Sequence, residues 1–311
     1  MTNLTGSERA IAVTALRHAI PYLRMFKDKM FVIKAGGNAF ASAESTRALV
    51  EQLGILHQLG IRVVLVHGGG PQSSELSDQL GLLTRFVEGR RVTDGDALKV
   101  AVMVLNGQIS TRILAACREF DVPAVGISGV DAGLVRARKR PPVAAEGLDA
   151  PTIDYGFVGD IERIEPGVIL KQLASGFVPI VSPLSADDAG TLLNINADTV
   201  AAAIACALDA EKLILATGAP GILEDVADPQ SLISYIDRAG LRGLRDDGLL
   251  TDGMLPKVAS IELALTGGVP RVHVISYASP DSLLLEIFTN EGTGTLVVDD
   301  IGQLMPAEQL V

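Results

Sequence analysis

Residues 30–39 read MFVIKAGGNA and residues 62–71 read RVVLVHGGGP, and these two stretches decide the fold class. Each is a short apolar run that ends in a glycine turn, the first at Lys34 and the second at His67. Such runs are typical of strands buried on both faces. Between them, residues 44–59 carry apolar side chains at helical spacing. A strand, a helix and a second strand in this order predict a parallel sheet covered by helices.

The same alternation continues along the chain. Residues 134–138 and 157–164 interrupt it, and their alternating polarity predicts an antiparallel hairpin. Pro21 lies inside the first predicted helix, where we expect it to cause a kink. The predicted strands are 30–33, 62–66, 123–127, 178–182, 212–216, 271–275 and 295–298, and the predicted helices are 7–26, 44–59, 72–80, 96–120, 197–208, 255–266 and 280–288. The fold class is therefore α/β, with an open, mainly parallel sheet sandwiched between helices.

The length of 311 residues exceeds that of one usual compact core, so either one large α/β unit or two fused lobes is expected. No low-complexity linker separates them. The boundary is predicted near Asp209, between two strand–helix units, with an N-terminal helical segment at 1–29 in front. The lobes would then be residues 30–208 and 209–311.

Composition narrows the classes of partner. The formal net charge is −11 and tryptophan is absent, which argues against nucleic acid as a partner. The N-terminus lacks the apolar core of a signal peptide, and the apolar run at 200–208 is too short to cross a bilayer. Cys117 and Cys206 fit buried free thiols in a reducing compartment. We therefore expect a soluble, cytoplasmic protein with no membrane partner.

Three strand ends carry turns rich in glycine or small residues: KAGGN at 34–38, HGGGP at 67–71 and ATGAPG at 216–221. In open α/β sheets, ligands bind at the carboxyl ends of the strands. Glycines let backbone N–H groups approach a phosphate closely. Any one of these turns is explained by tight chain reversal alone. Two of them early in one sheet, one with a lysine at the strand end, predict an anion site.

Several common sites are excluded by missing residues. The chain has no G-x-x-x-x-G-K-[ST] motif, and Ser73 occupies the last glycine position of a dinucleotide fingerprint. The HGGG string also occurs in esterases, but no G-x-S-x-G nucleophile motif accompanies it. No C-x-x-C or H-E-x-x-H motif indicates zinc, so we expect no metal held by protein ligands.

Two further segments, NINAD at 194–198 and GMLPK at 253–257, precede or open predicted helices. A helix N-cap explains one polar residue of the first segment, but not both Asn194 and Asp198. In the second, Lys257 lies in the first helical turn, where a cation opposes the helix dipole. A bound phosphate would explain that lysine, and so would an ordinary surface position.

Together these segments resemble the N-acetylglutamate kinases of the amino-acid kinase family. The resemblance rests on GGNA after Lys34, on VHGGGP, on RVTD at 91–94, on NINAD and on GMLPK, and it runs in order from about His18 to Val298. It implies the fold of that family, with an acyl-amino-acid-binding lobe at 30–208 and an ATP-binding lobe at 209–311. It also implies ATP-dependent phosphorylation of the γ-carboxylate of N-acetyl-L-glutamate, a step of arginine biosynthesis.

The chemistry is consistent with the roles that the resemblance implies. A carboxylate with a pKa of about 4.3 is ionised at neutral pH, so it needs no general base. By resemblance, Lys34 and Lys257 neutralise the transferred phosphoryl group, and Asp198 holds both lysines. The residues implied for the substrate are Gly69, Gly70, Arg91 and Asn194, and those implied for the ATP phosphates are Gly36, Gly37, Gly69, Thr217 and Gly218. Mg²⁺ would arrive bound to ATP.

Two features resemble the arginine-inhibited members of the family. One is the N-terminal helix in segment 1–29. The resemblance implies that this segment acts in oligomerisation and regulation. The other is the pair of segments EIFT at 286–289 and GTGT at 292–295. They imply L-arginine as an inhibitor and a hexamer built from dimers, with Tyr22, His273, Glu286 and Gly294 as regulatory residues. The alternative is a plain homodimer in which the helix packs on its own lobe.

Two departures from the family pattern stand in the ATP-binding half. Gly218 occupies a place where the family commonly has an acidic residue, and Ser276-Tyr277-Ala278 stands where it usually reads Asp-Gly-Arg. Two rival functions also remain. One is a kinase for another acylated or carrier-linked amino acid, such as an aminoadipate derivative, and the other is a non-catalytic regulatory module that binds arginine or a nucleotide.

Overall fold

The computed structural model describes residues 5–87, 90–144, 152–228, 230–250 and 253–303. The strands are β1 Met30–Ala35, β2 Arg62–His67, β3 Phe86–Val87, β4 Arg90–Arg91, β5 Ala124–Ser128, β6 Val135–Lys139, β7 Val143–Ala144, β8 Thr152–Ile153, β9 Gly159–Ile164, β10 Val178–Ser182, β11 Leu184–Ala186, β12 Leu192–Asn194, β13 Lys212–Thr217, β14 Tyr235–Asp237, β15 Val272–Ser276 and β16 Thr295–Val298. The helices are α1 Gly6–Phe26, α2 Ala43–Gln58, α3 Gly70–Gln79, α4 Gly95–Val102, α5 Ser110–Glu119, α6 Gly167–Ala174, α7 Ala197–Ala207, α8 Arg238–Asp246, α9 Leu255–Thr266 and α10 Ser282–Phe288.

Eight strands form the central sheet in the order β14-β16-β15-β13-β1-β2-β10-β5. The pairs from β15 to β5 are parallel, and β16 is antiparallel to β15. Alternate residues of β1 enter two different cores: Val32 packs with α7 and α9, whereas Phe31 and Ile33 pack with α2 and α5. Because both faces of the strand are buried, its sequence is a continuous apolar run. The predicted fold class is confirmed.

A second sheet has the order β12-β11-β6-β9. Its β6 and β9 pair antiparallel, as the alternating segments 134–138 and 157–164 predict. This sheet ends at Asn194, directly before α7, so it places the polar segment at 194–198 against the central sheet.

The predicted helix at 96–120 needs a correction. It consists of α4, a π-helical segment Met103–Ile109 and α5. The π turns bring Leu105 and Ile109 together against the glycine turn after β2. By length and composition alone the stretch Gly95–Glu119 could cross a membrane, but its most apolar window is 44% buried. Since α5 packs against α2, β5 and β10, we assign it to the folded core.

Helix α1 continues through Pro21 and contacts α10. Three of its apolar side chains, Ile11, Val13 and Leu16, are more than half exposed. The central sheet continues from β2 through β1 to β13, so the two predicted lobes share it. Their division at Asp209, like the separate role of residues 1–29, stays a prediction.

Some smaller expectations also change. Helices α6 and α8 and the short strands β11, β12 and β14 have no counterpart in the sequence prediction. Cys117 is buried as expected, but Cys206 is partly exposed; both thiols are free.

Candidate functional site

The three glycine-containing turns lie side by side at one edge of the central sheet. Strand β1 is flanked by β2 and β13, and Ala35 pairs in register with both His67 and Ala216. The turns that follow these strands therefore open at the same carboxyl edge. The structure thus brings together the three turns that the sequence places at strand ends.

Two lysines meet one carboxylate at this edge. Lys34 Nζ lies 2.8 Å from Asp198 Oδ1, and Lys257 Nζ donates to Asp198 Oδ2 at 3.2 Å. Lys34 is the penultimate residue of β1, whereas Asp198 and Lys257 lie in the first turns of α7 and α9. We call these three residues the transfer triad. The structure thus brings together the three side chains predicted to be catalytic.

The segment NINAD divides its polar residues between different tasks. Asn196 is the N-cap of α7, and its side chain accepts hydrogen bonds from the backbone N–H groups of Asp198 and Thr199. This cap leaves the Asp198 carboxylate available to the lysines. The segment therefore begins a helix and supplies a charged group at the same place.

Burial and neighbouring charges shift the pKa values of Asp198 and Lys34 in the transfer triad. Burial alone would raise the pKa of Asp198, but the two ammonium groups outweigh it and hold that pKa below its usual value. Burial lowers the pKa of Lys34; Asp198 opposes this shift and Lys257 adds to it. With one carboxylate between two ammonium groups, the triad has a net charge of +1 when both lysines are protonated.

The first two glycine turns pack so closely that side chains would not fit. A Cβ on Gly37 would lie 2.4 Å from Gln72 Oε1 and 3.0 Å from Gly69 Cα. A Cβ on Gly69 would lie 2.7 Å from Ile109 of the π-helical segment. Gly36 sits beside the transfer triad, since a Cβ there would be 3.7 Å from Lys34 Nζ. Gly37 and Gly69 are therefore required by close approach, next to the lysines.

Arg91 closes another side of the site. Its Nη2 donates to Gly70 O at 3.1 Å and to Ser74 Oγ at 2.6 Å, and its guanidinium lies 4.9 Å from the centre of the Phe86 ring. The fork is therefore held beside the HGGGP turn. Arg91 and Gly70, both predicted to bind substrate, are in direct contact.

Asn194 contacts the segment that carries Arg91, through a hydrogen bond to Thr93. Asn194 Nδ2 donates to Thr93 Oγ1 at 3.5 Å, and the buried Thr93 lies two residues after Arg91. The RVTD and NINAD segments are therefore neighbours in space.

The third turn, at 216–221, is arranged differently. The Thr217 hydroxyl donates to Ala219 O at 3.0 Å and accepts from Ala219 N at 3.1 Å, so it is engaged in its own turn. A Cβ on Gly218 would lie 3.5 Å from the Tyr277 hydroxyl oxygen. The two departures from the family pattern are therefore close in space, because a Cβ on Gly218 would be in ordinary contact with Tyr277.

The residues expected to be regulatory lie at the opposite end of the sheet. His273 Nε2 lies 2.9 Å from Lys212 Nζ, and His273 Nδ1 lies 2.6 Å from Glu286 Oε1. We call Lys212, His273 and Glu286 the basal cluster. Glu286 Oε2 also accepts from the backbone N–H groups of Thr293 at 2.6 Å and Gly294 at 3.1 Å.

The pKa values of the basal cluster show its charge state. Burial, with Lys212 next in importance, lowers the pKa of His273 to about 4, so the imidazole is neutral at pH 7. Burial opposes ionisation of Glu286, but the hydrogen bonds from His273, Thr293 and Gly294 bring its pKa to about 2. A cavity of about 90 Å³ lies here, lined in part by Tyr22, Phe26 and the basal cluster. Tyr22 also donates a hydrogen bond to the Asn290 side chain.

Sequence reasoning missed Lys212 and Gln72. Lys212 is the first residue of an apolar strand, a position at which a surface lysine is ordinary. Gln72 follows the HGGGP turn, and its polar side chain is buried in the structure. Its place beside the turn was the only available signal. Among residues 5–87, 90–144, 152–228, 230–250 and 253–303, no group of three or more His, Cys, Asp and Glu side chains could hold a metal ion.

Comparison with known sequences gives a consistent result. Residues 29–276 match the sequence model of the amino acid kinase family. An acetylglutamate kinase from Myxococcus xanthus is 46% identical over 293 residues, which cover 93% of this chain and 95% of that protein. An acetylglutamate kinase from Methanococcoides burtonii is 41% identical over 301 residues, which cover 96% of this chain and 97% of that protein.

Comparison with solved structures finds N-acetylglutamate synthase from Neisseria gonorrhoeae. Its complex with coenzyme A and N-acetyl-glutamate has a TM-score of 0.80 at 28% identity, covering 93% of this chain and 63% of the synthase chain. Its complex with coenzyme A and L-arginine has a TM-score of 0.80 at 27% identity, covering 93% and 65%. This chain therefore spans slightly less than two thirds of the synthase.

Proposed function

Because this chain belongs to the amino acid kinase family, we propose that it transfers the γ-phosphoryl group of ATP to the γ-carboxylate of N-acetyl-L-glutamate, a step of arginine biosynthesis. The transfer triad at the carboxyl edge of the central sheet is the observation that carries this proposal. A protein that only bound arginine or a nucleotide would not need two lysines held on one buried carboxylate.

The triad matches the main obstacle of the reaction. The acceptor carboxylate is already ionised at neutral pH, so the difficulty lies in bringing one anion up to another. The lysine ammonium groups offset the negative charge of the transferred phosphoryl group, and the glycine turns beside them offer backbone N–H donors. Asp198 keeps the two ammonium groups in place without cancelling both charges.

The substrate would be held from the other side of the site. Arg91 presents a planar fork suited to the α-carboxylate of N-acetylglutamate. Asn194 is the last residue of β12 and lies two residues before the cap of α7. It would contribute a side-chain amide to substrate binding. Gly70 is bonded to Arg91, and Gly69 lies against Gly37 of the first turn, so the HGGGP turn can serve the substrate and the phosphate together.

The nucleotide would lie over the ATP-binding half, with its phosphates toward the triad. Thr217 ends β13, the neighbour of β1, and Gly218 begins the turn that follows. Mg²⁺ would be held mainly by the phosphates of ATP and by water, as is usual for this ion. Its part is to neutralise phosphate charge, while the residues of this chain orient the two reactants.

A direct assay tests the reaction. Purified protein with MgATP and N-acetylglutamate should form an acyl phosphate, which hydroxylamine converts to a hydroxamate. Parallel reactions with glutamate, N-acetylaspartate and an aminoadipate derivative measure the selectivity. Equal rates with free and acetylated glutamate would contradict the substrate assignment, and a higher rate with the aminoadipate derivative would favour the sister kinase.

L-arginine and a hexamer are the finer parts of the proposal. The basal cluster supplies an ionised carboxylate and an ammonium group beside a cavity, which suits a ligand carrying both charges. The exposed apolar side chains of α1 suit contact with the same helix of another subunit. Deleting the residues before Lys27 should convert hexamers to dimers in sedimentation and weaken inhibition by arginine. A full-length dimer that is insensitive to millimolar arginine would contradict this part and leave the kinase proposal intact.

A further inference from the structure

Gln72 is a buried amide that contacts the first glycine turn. It is the third residue of α3, and its side chain is 8% exposed. Its Nε2 donates to Gly37 O at 2.7 Å. Its Oε1 is buried and accepts no hydrogen bond from the residues that the structure describes. The Nε2 group of the amide therefore makes a hydrogen bond, whereas Oε1 makes none with the described residues.

Packing alone does not account for this side chain. A buried acceptor without a partner destabilises a protein, and an apolar side chain of the same size would fill the space without that effect. What an apolar side chain cannot do is donate to the Gly37 carbonyl. The glutamine is thus explained by what it does to the turn at residues 36–38.

The hydrogen bond from Gln72 to Gly37 O orients the whole peptide group that follows Gly37, and not only its carbonyl oxygen. The peptide bond between Gly37 and Asn38 is planar and trans, so its N–H points away from its C=O. A carbonyl held toward Gln72 therefore directs the N–H of Asn38 away from it. Gln72 Oε1 also lies against Gly37, on the side where a Cβ would be 2.4 Å away. The turn is held both by a hydrogen bond and by close contact.

This turn adjoins the transfer triad. Gly36 lies beside the Lys34 ammonium, since a Cβ on it would be 3.7 Å from Nζ. On the other side, Gly70 O accepts from Arg91 at 3.1 Å. Each of the two glycine turns thus has a carbonyl fixed by a side-chain donor, Gln72 for the first and Arg91 for the second.

We propose that Gln72 is a positioning residue for phosphoryl transfer, holding the turn at 36–38 so that its backbone N–H groups face the transferred phosphoryl group. This inference rests on the proposed function. Gln72 would act on the backbone donors as Asp198 acts on the lysines. It would contribute in the transition state and little to the binding of N-acetylglutamate.

The test compares wild type with Gln72→Met, which keeps the length but has no donor, and Gln72→Glu, which places a carboxylate oxygen against the Gly37 carbonyl. We expect kcat to fall about 10- to 100-fold, because small displacements of positioned groups have effects of that order. The KM for N-acetylglutamate should stay within about twofold. Affinity for MgADP with tetrafluoroaluminate and N-acetylglutamate, which imitate the transition state, should fall as kcat does, while affinity for MgADP alone should not.

Gln52→Met is the matched control. Gln52 is also a buried glutamine, 7% exposed, whose Nε2 donates to Ala48 O and whose Oε1 accepts from Leu283 N, both at 3.0 Å. It belongs to α2 and its side chain bonds to α10, so its loss should lower the melting temperature and leave kcat and the affinity for the transition-state mimic unchanged.

Three outcomes would overturn the inference. One is unchanged kcat and unchanged affinity for the mimic in both Gln72 variants. Another is a fall in kcat for Gln52→Met as large as that for Gln72→Met at a similar loss of melting temperature, or failure of both Gln72 variants to fold, since either result would make the role structural. A wild-type protein inactive on N-acetylglutamate would refute the proposed function itself, and this inference with it.

Discussion

Two buried charged groups lie at opposite ends of the same central strands. The transfer triad lies where β1 ends, and the basal cluster begins at Lys212, where β13 starts. Five residue steps separate Lys212 from Thr217 at the other end of that strand, which is roughly 17 Å. Both groups contain an ionised carboxylate that burial opposes and that neighbouring groups stabilise.

They differ in what surrounds the carboxylate. Asp198 contacts two lysine amino groups, so when both lysines are protonated the transfer triad has a net positive charge that a phosphoryl group can neutralise. In the basal cluster a neutral imidazole stands between one ammonium and one carboxylate, and backbone N–H groups share the carboxylate. Its net charge is zero. The first arrangement suits an anion, and the second suits a ligand with charges of both signs.

The largest effect is expected at the transfer triad. Lys257→Ala should lower kcat about 10²- to 10³-fold, as loss of one electrostatic donor commonly does, with a smaller change in the KM for N-acetylglutamate. Lys257 is the better choice because its side chain is 21% exposed, against 8% for Lys34, so folding should survive. Steady-state kinetics measures both parameters. The exposed Lys171 of α6 is the control, and Lys171→Ala should behave as wild type. Equal losses in the two variants would contradict the role of the triad.

The next effect concerns substrate binding by Arg91. Arg91→Ala should raise the KM for N-acetylglutamate about 10- to 100-fold and change kcat less, because the contact exists in the ground and transition states alike. Arg91→Lys should show a smaller rise in KM than Arg91→Ala but should not reach the wild-type value, since an ammonium group lacks the planar fork.

A substrate analogue sharpens this test. 4-Acetamidobutyrate has the acetamide and the reacting carboxylate but no α-carboxylate. Wild type should use it poorly, and Arg91→Ala should use it no worse than wild type does. An additional loss in the variant would show that Arg91 contacts another part of the substrate.

The sequence is informative about the carboxyl edge because its signals are local. Glycines directly after apolar strands indicate close backbone approach, and Lys257 at the start of a helix conflicts with the helix dipole. Both signals can be recognised in a few consecutive residues. The fold class and an anion site at this edge could therefore be predicted from local signals, whereas the roles of Lys34, Lys257 and Asp198 came from the resemblance of their segments to the family.

The remaining features depend on contacts between distant segments. The role of Lys212 depends on its contact with His273, and the role of Gln72 depends on its hydrogen bond to Gly37. The residues of neither pair are close in sequence. The π-helical segment Met103–Ile109 keeps the apolar periodicity of a helix, so the sequence shows one long helix there. Strands of two or three residues, such as β11 and β12, are too short for a periodic signal.

A third prediction separates the two ends of the sheet. Glu286→Gln should raise the arginine concentration that gives half inhibition by more than about tenfold, because the ligand loses its carboxylate partner. The kcat without arginine should stay within about twofold of wild type, since the basal cluster lies far from the reacting groups. Initial rates across an arginine series measure both. An unchanged arginine response, or a loss of kcat without arginine, would contradict the division of roles.

The smallest effect is on stability and comes from His273. Its pKa in the folded protein, about 4, lies below the ordinary value of 6.5. Protonation therefore favours the unfolded chain, so this contribution to stability is complete above pH 6.5 and is lost as the pH falls toward 4. One pKa unit corresponds to about 1.4 kcal/mol, which limits the loss to a few kcal/mol. Denaturant unfolding at pH 7 and pH 5 measures it.

The control must keep the neighbours of His273 while removing its titration. His273→Gln retains a polar side chain between Lys212 and Glu286 but cannot gain a proton in this range. His67 has a pKa of about 4 for the same main reason, burial, so it should contribute a similar loss in both proteins. Wild type should therefore lose more unfolding free energy than His273→Gln between pH 7 and pH 5. Equal losses would mean that the pKa of His273 in the folded protein is not below its ordinary value of 6.5, so the imidazole would gain a proton by pH 5 in the folded protein as it does in the unfolded chain.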